Sequence, residues 1–440
     1  MADVSTEGGD FMSLLTICFI IFVLTIIGYC SGKYSLAVIA LTSMMLMTLT
    51  GCLEAKKALS YFANSNVVMV GGMCVVAAGF NKTRFCINLA KSISNLSKGS
   101  VTKMVMGYVI IGVILSQFIQ SPVVVFSIVA PMLMATAAEM GVPTTKVLFP
   151  VGIAIISTCC ILPVGAGATV AAELNGYLES YGYTDFAVGL ADPMKARFPM
   201  LILSIVYFGI FCIKGLPSES PVKVQDMALR KMSESSITKF QEYASILIFF
   251  GDAVALMFSD QLGLDSWSIT VIGALLMILT SVLSPKEAGK SLPLGILFLI
   301  VGSNAIAGAL SATGAGEFIG NIISGFIGNL GNSNYLLGLI FFVLPFVLTQ
   351  FMSNRGTMLI FHPIAIATCA AMGGNPVGLM ILIQAACLTA FMTPMSTSAT
   401  PYIMGLGGYD IPYMMKHGAL FAVIGCIISV FWTMTVFPVI

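Results

Sequence analysis

The sequence predicts an all-α polytopic membrane protein built from two inverted-topology halves. Each half is read as five spans, one of them a broken helix, plus a re-entrant hairpin. Three observations lead there: an apolar composition, an internal repeat and the placement of the charges. The 440-residue chain is 58% hydrophobic and 9% charged, with mean hydropathy +0.99, whereas soluble domains carry about a quarter charged residues. Runs such as "FMSLLTICFIIFVLTIIGYC" (11–30) and "WSITVIGALLMILTSVL" (267–283) are long enough for a bilayer core. One signal peptide does not explain so many runs, and no cleavage pattern follows the first.

The repeat is the most specific signal. "EAKKALS" (54–60) returns as "EAGKSLP" (287–293), and "LSQFIQSPVVVF" (115–126) as "LTQFMSNRGTML" (348–359). "PMLMATAAEMG" (131–141) returns as "PIAIATCAAMG" (363–373), and "PVGAGAT" (163–169) as "PMSTSAT" (394–400). The offsets are 233, 233, 232 and 231 residues, so the register barely drifts. The first half is residues 1–216: scaffold spans in 11–100, a hairpin over 104–138, a broken helix over 147–175 and a span at 197–213. A polar linker, 217–242, joins it to the second half, 243–440. There the scaffold spans lie in 243–311, the hairpin at 334–371, the broken helix at 376–406 and the last span at 418–438.

Charge orients this plan. Lys33, the stretch with Lys82, Arg84, Lys91 and Lys98, the 214–242 linker, Lys286, Lys290 and Lys416 are placed on the cytoplasmic side. The acidic N-terminus (Asp3, Glu7, Asp10), Asp185, Asp192, Asp260, Asp265 and Glu317 then face outward, as the positive-inside bias expects. Lys56 and Lys57, beside Glu54, are exceptions. This alternation needs five crossings per half, with 104–138 and 334–371 entering and leaving on one side. Their tips fall at "IQSPV" and "SNRGT", and an odd number of crossings inverts the second half.

Inverted repeats with broken helices are an architecture of secondary transporters. Unpaired backbone at membrane depth survives only where protein buries it or water reaches it. The Gly, Pro, Ser and Thr interruptions therefore free amides and carbonyls as ligands, and half-helix N-termini aimed at a break favour an anion. Four such breaks are expected to converge on one midplane site. No nucleophile–base pair, H-E-x-x-H, G-x-S-x-G or G-x-x-x-x-G-K-[ST] run appears, which argues against an enzyme or an ATPase. Eleven cysteines, most within apolar runs and without C-x-x-C or Cys/His ligand spacing, read as packing residues. A net charge of +1 with basic residues confined to loops implies no nucleic-acid partner. The expected location is the cell membrane, with the N-terminus outside.

The order hairpin, broken helix, then "TPMSTSATPYIMGLGGYDIPYMMKHG" (393–418) resembles the ion transporter superfamily. Within it, the chain is most similar to the divalent anion:sodium symporters, which carry di- and tricarboxylates. "GILFLIVGSNAIAGALSATGAGEFIGNII" (295–323) also resembles the segment before that family's second hairpin. The resemblance covers most of the chain and implies a homodimeric elevator for small anions, C4-dicarboxylates first. It also implies that Ser-Asn-Thr at each tip meets substrate carboxylates and flanking sodium ions. Here the second tip reads Ser353-Asn354-Arg355 and the first Gln120-Ser121-Pro122. The family's Gly-Thr-Pro-Pro-Asn-like breaks read Gly165 to Thr169 and Ser396 to Thr400.

Arg355 is the only Asp, Glu, Lys or Arg among the 92 residues between Glu317 and Asp410. An arginine at the bilayer centre costs at least about 2.5–3.5 kcal/mol, so such residues line cavities and mark pathways. Arg355 either meets a substrate anion through forked hydrogen bonds, or stands in for a bound sodium ion. The structural alternative is a pairing with Glu173 or Asp252, or a helix C-cap. The expected substrate-binding set is Ser121, Gly165, Gly167 and Thr169 in the first half, with Ser353, Asn354, Arg355, Thr357, Ser396, Thr397, Ser398 and Thr400 in the second. Ser353, Asn354 and Ser398 are the candidates for a residual sodium site. No cofactor is expected beyond sodium or a proton as coupling ion. Glu173 and Asp252 are candidate proton carriers, and His362, two turns beyond Arg355, reads as packing. A sodium-coupled carrier of tricarboxylate, sulfate or arsenite, and a passive anion channel, stay open as alternatives.

Overall fold

The computed structural model describes residues 13–31, 33–164, 167, 169–183, 185–222, 237–314 and 333–440. Asp3, Glu7, Asp10, Gly165 and Glu317, and most of the central linker, therefore lie outside the described residues. Among those described, the fold is entirely helical. In chain order the helices are α1 (Leu14–Ser31), α2 (Leu36–Leu49), α3 (Ala55–Ser60), α4 (Ser65–Phe80), α5 (Arg84–Leu96), α6 (Val101–Phe118), α7 (Pro122–Glu139), α8 (Thr144–Ser157), α9 (Thr169–Ser180) and α10 (Asp192–Val206). After the linker come α11 (Lys239–Met257), α12 (Ser259–Leu262), α13 (Ser266–Leu279), α14 (Pro285–Ser291), α15 (Leu294–Ala312), α16 (Asn334–Leu348), α17 (Asn354–Met372), α18 (Val377–Leu388), α19 (Ala399–Gly407) and α20 (Ile411–Val436). Eight helical stretches among the described residues are long and apolar enough to cross a membrane, which makes this a multi-pass membrane fold.

The few polar residues between apolar runs set the helix ends. Ser35, Asn64, Thr83, Ser100 and Asp410 each accept a backbone N–H of the first turn that follows, satisfying donors that the helix leaves orphaned. Thr238 with Gln241, and Ser284 with Glu287, form full capping boxes. Helix α17 stops at Gly373, whose left-handed φ of 65° closes the last turn.

The long-range contacts cross between the halves: α4 packs along α13, and α2 along α15. Glycines allow the close approach. A Cβ on Gly72 would sit 2.8 Å from the Thr270 backbone, and one on Gly302 would sit 2.6 Å from the Ala40 backbone carbon. Elsewhere the contacts recur in pairs. α6 meets α8 as α16 meets α18, and α7 meets α8 as α17 meets α18. Helices α8 and α18 are the interior of the molecule, nearly every residue of each being buried. Both end at an unwound segment.

Candidate functional site

Two helix–turn–helix tips and two segments between helices meet at the candidate site. At the first tip, α6 ends at Phe118 and α7 starts at Pro122, with proline favoured at the first helical position. Ser121 occupies the N-cap position without making the cap bond, so its hydroxyl stays available. At the second tip, α16 ends at Leu348 and α17 starts at Asn354. Here Ser353 makes its cap, accepting from Gly356 N–H at 3.1 Å. The breaks run from the end of α8 to the start of α9, and from α18 to α19. A cavity of about 330 Å³ lies between them, walled by Gln120, Ser121 and Pro122, by Cys160, Val170 and Glu173, by Asn354, Arg355 and Met358, and by Thr397, Gln384 and Asn66. First-turn residues of α7, α9 and α17, and the residue just before the N-cap of α19, all reach this wall. The positive ends of four helix dipoles therefore surround it, and Arg355 adds a full charge.

The residues expected from sequence divide into two groups. Ser121, Asn354, Arg355 and Thr397 line the cavity. Ser398 accepts from the Asn66 side-chain amide at 3.0 Å, tying the second break to α4. Ser353 is exposed at the tip. Thr357, Ser396 and Thr400 lie behind the wall, fully or nearly fully buried. Ser396 donates to the Thr393 carbonyl at 2.7 Å and lies 3.1 Å from the Thr400 hydroxyl; the Thr357 hydroxyl has no partner among the described residues. Gly167 is packed against the Leu162 carbonyl, where a Cβ has no room. Thr169 opens α9 and is exposed.

Among the described residues the only ion pairs are Lys82–Glu287 and Lys195–Asp192. Arg355 is thus paired with neither Glu173 nor Asp252. It shares the cavity with Glu173, and both charges are felt by the Tyr177 ring. Asp252 is elsewhere, buried on α11 against Gly273 of α13. His362 is fully buried, its ring 4.6 Å from that of Tyr177 and tilted 35° to it, with neither ring nitrogen bonded among the described residues.

Several site residues carried no signal that sequence reasoning used. Gln117 and Gln350 hold the two breaks. The Gln117 side-chain oxygen accepts from Ile161 and Leu162 N–H, each at 3.1 Å, and that of Gln350 accepts from Met392 N–H at 2.9 Å. Their trace was the Gln shared by "LSQF" and "LTQF". Gln384 lines the cavity from α18, its side-chain carbonyl oxygen unpaired among the described residues. Arg197 of α10 is 2% exposed and donates to the Cys160 carbonyl at 3.3 Å. This fixed cation disfavours a mobile one at the same carbonyl. Oxygen ligands of the kind sodium takes occur instead at the second tip, where Asn354 Oδ1 accepts from Thr349 at 2.8 Å, and at the second break, where the Ser398 hydroxyl accepts from Asn66.

A multi-pass helical fold with broken helices around a cavity of mixed polar and apolar lining, bearing one arginine, has the architecture of secondary transporters as a class. Residues 17–354 match the citrate transporter family, and the chain belongs to it. It is 31% identical over 187 residues to the uncharacterized transporter YfbS of Escherichia coli, a match covering 42% of this chain and 30% of that one. It is 28% identical over 165 residues to the uncharacterized transporter sll0640 of Synechocystis, covering 37% and 27%. The chain thus matches less than a third of the length of these two relatives. The sodium-dependent dicarboxylate transporter SdcS of Staphylococcus saprophyticus is 22% identical over 413 residues, 87% of this chain and 78% of its own. These relatives are named as transporters, none as an enzyme. The solved structure of the Neisseria gonorrhoeae antimetabolite efflux pump MtrF aligns at TM-score 0.43 and 11% identity, over 97% of this chain and 95% of that one.

Proposed function

We propose that this chain is a secondary active transporter of small organic anions, C4-dicarboxylates foremost, working in the cell membrane without a requirement for sodium. The observation that carries the reading is Arg355. It is a guanidinium free of any carboxylate partner among the described residues, on a cavity ringed by helix N-termini. A carboxylate meets its fork in two parallel hydrogen bonds, while Ser121, Asn354 and Thr397 offer donors to a second carboxylate. SdcS, a relative over most of the chain, is named for dicarboxylates, which supports the substrate class. Transport then runs as exchange or with a proton, for which Glu173 on the cavity wall is the available carrier.

In this reading the two halves are inverted repeats, supported by the recurring contact pairs and the matching Gln117 and Gln350 bonds. Hairpins and broken helices move together as an elevator against a scaffold from within 11–80 and 243–311, which also supplies the contacts of a homodimer. The N-terminus faces outward and the 214–242 linker the cytoplasm. A sodium-coupled carrier is the second reading, favoured by the oxygen ligands at the second tip and by the name of SdcS.

Uptake of labelled succinate by proteoliposomes, in sodium and in choline media, decides between them. Equal uptake supports the sodium-free reading, and strict sodium dependence at saturating succinate overturns it. Failure to accumulate succinate against its gradient would mark a passive pore.

A further inference from the structure

The pair Cys159–Cys160 has a geometry that packing does not require. The two sulfurs lie 3.5 Å apart, although consecutive side chains on a helix diverge by about 100°. They converge because α8 has ended at Ser157 and Cys160 adopts a left-handed backbone, φ 54°, unusual for a residue with a side chain. Cys159 also reaches across to the first tip, its thiol 3.0 Å from the Gln120 carbonyl. Cys160 forms part of the cavity wall.

Beside the pair stands a buried charge with no carboxylate partner among the described residues. The Arg197 guanidinium is bonded through Nη1 to the Cys160 carbonyl, and its Nε and Nη2 have no acceptor among the described residues. A fixed cation next to a thiol is the setting in which cysteines react as thiolates. Two sulfur–ligand bonds of about 2.3 Å, meeting at an angle between a right angle and the tetrahedral value, span about 3.3–3.8 Å between sulfurs. The observed separation falls inside that range.

We propose that Cys159 and Cys160 form a thiophilic site on the cavity wall that takes one trivalent arsenic centre. No set of three His, Cys, Asp or Glu ligands occurs among the described residues. The ligand must therefore bring its own third substituent, as an aryl- or alkylarsenic(III) compound does. Addition of phenylarsine oxide breaks two S–H bonds and forms two As–S bonds. The two protons leave with the arsenic-bound oxygen as one water, and arsenic stays trivalent. The adduct bridges the break at the point where Cys159 touches the tip, and its aryl group projects at the wall that Cys160 lines. Occupancy therefore stops transport.

The site itself does not depend on the substrate assignment; the arrest of transport rests on the carrier reading above. The test uses the full-length protein in liposomes and phenylarsine oxide as probe. The expected result is one adduct per chain, reversed by dimercaptopropanol and not by a monothiol, with uptake lost and regained in step. Tryptic digestion places it without any variant, because Val147–Lys195 holds these two cysteines and no other. Cys159→Ser and Cys160→Ser should each abolish the stable adduct. An absent adduct overturns the proposal, and so does one mapping to the neighbouring core thiols Cys18 and Cys52. An adduct on Val147–Lys195 with undiminished uptake overturns the arrest. If succinate is not carried at all, the adduct still forms on the same peptide, so the two failures are distinguishable.

Discussion

The side-chain oxygen of Gln350 accepts the backbone N–H of Met392 at 2.9 Å, and Gln117 does the same for Ile161 at 3.1 Å. In both places a helix has ended inside the molecule, and the next free N–H would be orphaned. Gln117 goes further, its amide donating to the carbonyls of Thr158 at 2.9 Å and Val113 at 2.8 Å. Each glutamine ties the hairpin to the break beside it. Gln350→Leu leaves the half-buried Met392 N–H without its acceptor, at a cost of up to about 1–3 kcal/mol. The expected outcome is a lower melting temperature for the purified protein and weaker uptake. A Gln350→Leu protein that melts and transports as the parent does would refute the tie.

The crossed seams between the halves tolerate no side chain. Gly302→Ala forces a methyl group into the Ala40 backbone, and Gly72→Ala into Thr270. Overpacking of this kind costs about 1–3 kcal/mol. Gly107 of α6 provides the comparison, because a Cβ there meets nothing within 4 Å. Thermal melts should rank Gly107→Ala near the parent and both seam variants clearly below it. Equal melting of all three would show that the seams give way easily.

A pH effect is expected at Glu287, on the short polar helix α14 outside the spans. Lys82 donates to its carboxylate at 2.7 Å, and Ser284 donates from its backbone N–H and hydroxyl, both at 2.9 Å. Lys82 first, then Ser284, hold the carboxyl down to about 2 from its ordinary 4.5. A depressed carboxylate stabilises the fold in full above the unfolded value. That contribution declines as pH falls below 4.5 and is gone near 2. The side chain is 46% exposed, which limits the pair to about 1 kcal/mol or less. The melting difference between the parent and Glu287→Gln should be small at pH 7, shrink below pH 4.5, and weaken with salt. A difference constant down to pH 3 would assign the effect to packing.

The helix interruptions after Phe118, Ser157, Leu348 and Leu388 were legible in the sequence because proline, glycine and hydroxyl residues interrupt otherwise continuous apolar runs, twice, at offsets of 231–233 residues. Arg355 was legible as a charge with no neighbour of either sign along the chain. The depth of each side chain was not. Thr357 and Thr400 carry the same hydroxyl chemistry as Thr397, yet a helix turn decides which of them faces the cavity. Thr397 precedes the start of α19, whereas the other two lie inside a helical turn and point into packing. Arg197 was hidden for a different reason. It stands near Asp192 and Lys195 in sequence, where a charge reads as a loop residue, and only the fold brings it beneath Cys160. Gln117 and Gln350 were visible as repeated letters, but their role depends on which backbone donors the breaks expose.

In the proposed function Arg355 anchors the substrate, and its two functional readings separate in one variant series. Losing a hydrogen-bonded charge contact costs about 1.5–3 kcal/mol, or about tenfold to a hundredfold in affinity. Arg355→Ala should therefore weaken succinate binding by that factor. Arg355→Lys, which keeps the charge but not the fork, should fall between. If the guanidinium also takes the place of a mobile cation, the cavity of the alanine variant lacks one positive charge beside Asn354, whose side-chain oxygen suits sodium. Adding sodium should then restore part of its uptake, while leaving the parent unchanged and with no equal effect from potassium. A variant that loses binding and gains nothing from sodium leaves Arg355 as a substrate anchor alone. A variant that binds succinate as tightly as the parent removes it from the site.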